Sequence, residues 1–366
     1  MNTEEQKVVL EVKNLTKEFG DDTAVKNISF DLYDGEFLFV IGPSGCGKTT
    51  TLRMIGGYES PSSGEIRVRG QLLNNVPLEK RNIGMVFQSY ALFPHMTVQK
   101  NVEYGLRMRG VSKLARKKKA AEVLSLVELE DYAARYPAQL SGGQKQRVAL
   151  ARVIALEPDL LLLDEPLANL DKRLRDTMRI ELKKLQEKVG ITTLYVTHDQ
   201  EEALTMADRI VVMHDGNILQ VGSPKDVYND PTSQFVAGFL GETSSFQGKA
   251  RVASDGFNEI VIDEAMIVRP IATNSFQAES SVFVSIRPER IKLSKEKQTQ
   301  EVNCTTGIID FVSYLGSHVF YFINILNGTA LLKASEPIPH GEASFKVGDF
   351  VHAYWQEDNV VCITDK

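Results

Sequence analysis

Cysteine is scarce in this chain: three in 366 residues, Cys46, Cys304 and Cys362. An odd number without metal-type spacing excludes a disulfide framework and a zinc site, and it suits a reducing compartment. Long apolar runs are missing too. Nothing approaches the roughly 20 residues that span a bilayer, and the N-terminal "MNTEEQKVVLEV" is too polar for a signal peptide. The sequence reads as a soluble chain that, if it works at a membrane, docks to something that spans it. An excess of positive charge is also absent. Lys and Arg number 42 against 48 Asp and Glu, a formal net charge of −6, which argues against nucleic acid as the main ligand. The basic run "RKKK" at 116–119 reads as the solvated face of a helix. There is no internal repeat, low-complexity tract or heptad array. What remains is ordinary globular composition in a chain long enough for two domains.

The first part alternates strands and helices. "FLFVIG" at 37–42, "DLLLLDE" at 159–165, "TTLYVTHD" at 192–199 and "RIVVMHDG" at 209–216 are continuous apolar runs, the pattern of strands buried on both faces. Helical patterns lie between them, at 172–190 and 200–209 among others. The alternation predicts an α/β core around a parallel sheet. The stretch from about Pro94 to Pro137 lacks buried strands and reads as a helical insertion, with the helical subdomain set at about 94–150. Past residues 240–246 the pattern changes to short strands without helices, at 281–287, 306–316, 318–326, 349–355 and 359–364. That is the pattern of a small all-β barrel or sandwich. The expected division is 1–245 and 246–366.

"GPSGCGKT" at 42–49 meets the phosphate-loop pattern with Gly42, Gly47, Lys48 and Thr49, and it lies between a predicted strand and a predicted helix. Glycines let backbone N–H groups wrap a phosphate, and the helix N-terminus adds partial positive charge. Lys48 is placed to reach the β- and γ-phosphates, and the Thr49 hydroxyl to ligate Mg²⁺. "LLLLDEP" at 160–166 sets Asp164 at the C-terminal end of a buried strand, where ligands of open α/β sheets bind. Asp164 suits Mg²⁺ and Glu165 suits a general base for water. His198 ends the strand "TLYVT", within reach of a γ-phosphate, and the amide of Gln88 in "MVFQS" suits the Mg²⁺ shell or the water. "LSGGQ" at 140–144 is a second anion-binding helix start, and it lacks a lysine.

Gly42–Thr49, Gln88, Leu140–Gln144, Leu160–Glu165 and His198, in this order, resemble the ATPase subunit of an ABC transporter, of which LSGGQ is the signature. The resemblance runs from residue 8 to about 240. It implies a P-loop NTPase fold and ATP and Mg²⁺ as cofactors. Gly42, Pro43, Ser44, Gly45, Cys46, Gly47, Lys48, Thr49 and Thr50 would surround ATP, with Phe19 stacked on adenine. Glu165, His198 and Gln88 would be catalytic, and Thr49, Gln88 and Asp164 would hold the metal. It implies further that Leu140, Ser141, Gly142, Gly143 and Gln144 act on the ATP of a second copy in a head-to-tail dimer, with Asp171 in the D-loop. Family members usually carry serine at 168; Ala168 lacks that hydroxyl.

"FQSYALFPHMTVQKNVEYGLRMRG" resembles solute importers, particularly polyamine and ferric-iron systems. Tyr90, Leu92, Phe93 and Met96 would then belong to the groove that receives a membrane subunit. "SIRPE" at 285–289 and "YLG" at 314–316 resemble the OB-like, TOBE-type barrel appended to importer ATPases, a dimerisation or regulatory module. The implied partners are a second copy of the chain, two integral membrane permease subunits and, indirectly, an extracytoplasmic solute-binding protein, with no nucleic acid. The implied location is peripheral, on the cytoplasmic face of the cell membrane. Polyamine ranks first as solute, ahead of ferric iron and of sugar, phosphonate, sulfate or another anion. A soluble ABC ATPase acting on DNA or the ribosome, or a nucleotide sensor without catalysis, stays open as a remote alternative.

Overall fold

The computed structural model describes residues 7–253, 258–263, 266–271, 276–298, 303–338 and 343–364. Within them the chain forms two compact units, Met1–Lys225 and Asp226–Lys366.

The first unit opens with two long antiparallel strands, β1 (Val8–Phe19) and β2 (Asp22–Tyr33). β3 (Phe37–Ile41), α1 (Lys48–Gly56), β4 (Ser63–Val68), β5 (Gln71–Leu72) and β6 (Ile83–Val86) follow. Three helices come next: α2 (Val98–Met108), α3 (Lys113–Leu126) and α4 (Gly142–Ile154). The unit closes with β7 (Leu160–Asp164), α5 (Lys172–Val189), β8 (Thr193–Thr197), α6 (Gln200–Met206), β9 (Arg209–His214) and β10 (Asn217–Gly222).

The central sheet has the order β10-β9-β3-β8-β7-β6. β9, β3, β8, β7 and β6 run parallel, and β10 is an antiparallel edge. Every residue of β3 and of β8 is buried, as strands covered on both faces require. A second, antiparallel sheet in the order β2-β1-β4-β5 lies over the first, and Leu10, Leu32 and Ile66 share a core with Leu38, Leu162 and Val211. The expected helical insertion is α2, α3 and α4. On α3 the basic run points as expected: Lys117 and Lys118 are exposed, Arg116 pairs with Glu103 at 3.2 Å and Lys119 with Glu157 at 2.5 Å. No helix among the described residues is long and apolar enough to cross a membrane.

The second unit begins within the short helix Pro224–Asn229, ahead of the composition change at 246. Arg287, from "SIRPE", gives the reason. Its buried guanidinium donates to the carbonyls of Tyr228 (3.0 Å), Ala237 (3.0 Å) and Glu242 (3.2 Å), tying the stretch 228–242 to the strands. The strands form two five-stranded antiparallel sheets. One holds Ser244–Val252, Asn258–Asp263, Met266–Val268, Ser281–Ile286 and Val360–Thr364. The other holds Lys292–Ser294, Asn303–Tyr314, His318–Ile325, Ala330–Pro337 and Phe350–Trp355. Their inner faces close on one apolar core that includes Ile286, Tyr321, Leu332 and Trp355.

Candidate active site

Parallel register brings the sequence motifs to one edge of the central sheet. Ile41 is level with Thr197, Asp164 with Val196, and Val86 with Leu163. The residues that follow, Gly42, Glu165, His198 and Gln88, therefore emerge side by side beyond the carboxyl ends of the strands, where such sheets bind ligands.

The phosphate loop needs its glycines for steric reasons. Gly47 has φ +99°, and a Cβ there would lie 2.5 Å from the Ala24 carbonyl of β2. Gly42 passes so close to β9 that a Cβ would lie 2.2 Å from the Met213 carbonyl. Ser44 and Gly45 are exposed at the crest, and Cys46 is buried beneath it. Lys48 opens α1, is 5% exposed, and donates from Nζ to the carbonyls of Gly42 and Pro43, both at 2.8 Å. Thr50 is half-buried in the first turn of the same helix.

Thr49 Oγ1 donates to Asp164 Oδ1 at 3.3 Å. Burial pushes the Asp164 carboxyl above its ordinary value; the Thr49 hydrogen bond opposes this and the neighbouring Glu165 charge adds to it. A hydroxyl and a carboxylate in contact at a strand mouth are the hard oxygen donors that Mg²⁺ takes. Glu165 sits in the left-handed region at φ 46°, held by its N–H on the Val196 carbonyl at 2.9 Å. Such strain persists only where the surroundings enforce it, typically at functional sites. The turn aims the carboxylate at His198, whose Nδ1 lies 3.0 Å from Glu165 Oε1.

Gln88 is exposed, and its backbone carbonyl accepts from Asn169 Nδ2 at 2.9 Å. Asp171 caps α5 by accepting the Leu174 N–H at 3.0 Å. Ala168 donates its N–H to the Glu165 carbonyl at 3.2 Å. Phe19 ends β1 opposite Asp22, just before the β2 residues on which Gly47 packs. It is 47% exposed, with the Lys17 ammonium 4.7 Å from its ring centroid.

The LSGGQ segment forms the start of α4. Leu140 is buried. Ser141 and Gln144 form a reciprocal capping box: the Ser141 hydroxyl accepts the Gln144 N–H at 3.3 Å, and the Gln144 amide oxygen accepts the Ser141 N–H at 2.9 Å. The cap uses the acceptor side of the hydroxyl and two backbone donors, the N–H groups of Ser141 and Gln144. The Ser141 O–H and the first-turn N–H groups of Gly142 and Gly143 are left for an outside anion. A Cβ on Gly142 would lie 2.8 Å from Leu170 Cδ2, so α4 packs tightly on the segment that carries Asp171.

Sequence reasoning missed the residues that tie these loops together. Arg175 donates to the Leu170 carbonyl at 3.1 Å and to Asp199 at 3.3 Å; Arg179 reaches the same Asp199 oxygen at 2.8 Å. Asp199 follows His198 and caps α6 with its other oxygen. Asn169 and Arg175 thus string the segment 167–171 between Gln88 on one side and His198 on the other. Both residues lie within stretches already read from the sequence, but Asn169 reaches a backbone carbonyl 81 residues away and Arg175 joins a nearby carbonyl to a carboxylate 24 residues on, pairings that no local pattern reports.

Residues 25–168 match the ABC transporter family and residues 284–363 the TOBE domain. The spermidine/putrescine import ATP-binding protein PotA of Trichodesmium erythraeum (strain IMS101) is 42% identical over 363 residues, which are 97% of this chain and 94% of that protein. The putrescine transport ATP-binding protein PotG of Escherichia coli (strain K12) is 41% identical over 360 residues, 97% of this chain and 95% of its own. Among solved structures, the dimeric post-hydrolysis state of the ATP-binding cassette MJ0796 bound to ADP and Pi matches with a TM-score of 0.52 and 36% identity, covering 59% of this chain and 98% of that one.

Proposed function

The chain belongs to the ABC transporter family as the ATP-hydrolysing subunit of an importer, and on that premise we propose that it drives uptake of a polyamine such as spermidine or putrescine. The polyamine reading rests on relatives so named, at 42% and 41% identity over nearly the whole chain. One observation carries the reading of the site: the phosphate loop, Asp164, Glu165 and His198 share one sheet edge, with Thr49 on Asp164 and His198 on Glu165.

ATP lies along the loop Gly42–Thr50, its phosphates against the loop N–H groups and its adenine on Phe19. The Lys48 ammonium exchanges the carbonyls of Gly42 and Pro43 for the β- and γ-phosphates. Thr49, Asp164 and Gln88 would hold Mg²⁺, which when bound neutralises charge on those phosphates. The Glu165 carboxylate takes the proton of the water that attacks the γ-phosphorus as the bond to ADP breaks. His198 holds that carboxylate and contacts the γ-phosphate. Two copies pair head to tail, so that Leu140–Gln144 of one, with the Ser141 hydroxyl and the Gly142 and Gly143 N–H groups, close over the ATP of the other. Asp171 keeps α5 capped beside that face. The dimeric structure of the ABC transporter cassette MJ0796 supports the pairing of two copies.

In this reading the subunit works at the cytoplasmic face of the membrane, beneath two permease subunits that receive solute from an extracytoplasmic binding protein. The first unit, Met1–Lys225, is the ATPase in this reading, and the second, Asp226–Lys366, a dimerisation or regulatory module. Glu165→Gln keeps the size of the side chain and removes the base. It should bind ATP, accumulate as a closed dimer by light scattering, and lose turnover by about 10²–10⁴-fold, the usual worth of a general base. Wild-type phosphate release would overturn the assignment. With its permease partners in vesicles, ATP-driven uptake of labelled spermidine or putrescine tests the solute; transport of ferric iron or an anion instead would refute it.

A further inference from the structure

Residues 88–97 join Gln88 to the apolar side chains Leu92, Phe93 and Met96, and three different elements tether this segment. Asn169 holds the Gln88 carbonyl. The fully buried Asn101 of α2 holds the far end, accepting the Phe93 N–H at 2.9 Å and donating to the carbonyls of Phe93, Met96 and Thr97, each at 3.1 Å. Between them lies a strained turn. Tyr90 and Ala91 are consecutive non-glycine residues in the left-handed region, at φ 61° and 44°. Neither is a residue type that visits this region readily, so the surroundings must impose it. The imposing group is Arg152, in the last turn of α4. Its Nη1 donates to the Ala91 carbonyl at 2.6 Å and its Nη2 to the Tyr90 carbonyl at 3.3 Å, with the guanidinium 5.6 Å from the Phe93 ring centroid. The Tyr90 hydroxyl is buried there without a hydrogen-bond partner, a cost that a rearranged turn can relieve.

We propose that Arg152 is a positioning residue that transmits movement of α4 to the segment 88–97, whose Leu92, Phe93 and Met96 would, by the resemblance to importers, face the membrane subunit. α4 is one uninterrupted helix of 13 residues. Its N-terminus carries Ser141, Gly142 and Gly143, and its last turn carries the clamp on Tyr90 and Ala91. When the N-terminus engages the partner's nucleotide, the helix moves as a rod and Arg152 shifts with it. A strained turn held by two carbonyl contacts has a relaxed alternative close in energy, so a small shift of the clamp switches it, and Leu92, Phe93 and Met96 move with the turn. The inference rests on the dimer reading above and adds to it the residue through which α4 acts.

Hydrogen exchange on peptides covering 88–97, read in the Glu165→Gln background beside light scattering, tests this. ATP with Mg²⁺ should close the dimer and change exchange in the segment by about tenfold, the scale of releasing or imposing one strained residue. Arg152→Met should still dimerise, exchange about tenfold faster without ATP, and lose the response to ATP. Arg152→Lys should regain part of that response. Adding Ala91→Gly to Arg152→Met should slow exchange again, because glycine takes the left-handed turn without strain, yet leave the ATP response lost. That split separates transmission from mere stabilisation. If Arg152→Met does not fold, Arg152→Gln, which keeps one planar donor, carries the same readout. A full ATP response in a dimerising Arg152→Met or Arg152→Gln overturns the proposal, as does a closed parent dimer with no response in 88–97. A parent that never dimerises refutes the dimer reading, and the proposal falls with it.

Discussion

Glu202 shows what one buried carboxyl costs this fold. It is 2% exposed on α6 and accepts the Tyr195 hydroxyl at 2.8 Å. Burial pushes its carboxyl above the ordinary value; hydrogen bonds from Tyr195 and Thr197 and the charge of Arg179 oppose this, and the charge of Asp199 adds to it. The folded state therefore keeps the proton to higher pH than the unfolded chain does. The contribution of this group to stability is fully present below the unfolded glutamate value of about 4.3, and it is lost as pH rises through the folded value. Glu202→Gln preserves the shape and the acceptor but cannot ionise. Its melting temperature relative to wild type should rise from about pH 4.3 until the pH passes the folded value and then level off, by about 2–4 °C for each kcal/mol of relieved penalty. Melting curves from acid to neutral pH check this, and a flat or falling difference would sink it.

α4 is the element in which fold and function meet, because the cap that starts the helix uses the serine assigned to the partner's ATP. Ser141→Asp separates the two roles. Aspartate caps a helix as well as serine does, so the helix and nucleotide binding by the single subunit should survive. A carboxylate facing a γ-phosphate costs several kcal/mol, so ATP-dependent dimerisation should weaken by about a hundredfold or more. Analytical ultracentrifugation with ATP reads the outcome; a dimer as tight as that of the parent would refute the placement of Ser141. The elements differed in how legible they were. β3, β7, β8 and β9 lie in the middle of the parallel sheet, so their runs are apolar throughout and stand out. β1 and β2 are longer, at 12 residues each, but went unread, because their pairing carries several bulges that break the two-residue alternation. Ser244–Val252 was hidden for another reason: its inward positions include Ser244 and Gly248, so the buried face does not look apolar. The site motifs were legible because phosphate chemistry demands rare residue types at fixed spacing. Arg152, Asn169 and Arg175 were not, because each holds a backbone carbonyl that has no residue type to recognise.

At the scale of the whole molecule, the two units keep separate hydrophobic cores. One runs from Val9 through Leu38, Leu162 and Met213; the other gathers Phe246, Ile286, Tyr321 and Trp355; no side chain belongs to both. Every residue assigned to nucleotide lies in the first unit. Units with independent cores unfold independently unless a large apolar interface couples them. A ligand raises only the stability of the unit that binds it, by about 2.7 kcal/mol when present at 100 times its dissociation constant. Calorimetry should therefore resolve two transitions. ADP with Mg²⁺, which avoids hydrolysis during the scan, should move one of them upward by about 5–10 °C at that excess and leave the other in place. Lys48→Ala removes the ammonium proposed to exchange the Gly42 and Pro43 carbonyls for phosphate, and it should abolish the shift without merging the transitions. A single transition, or two that both move with nucleotide, would refute independent unfolding of the two units.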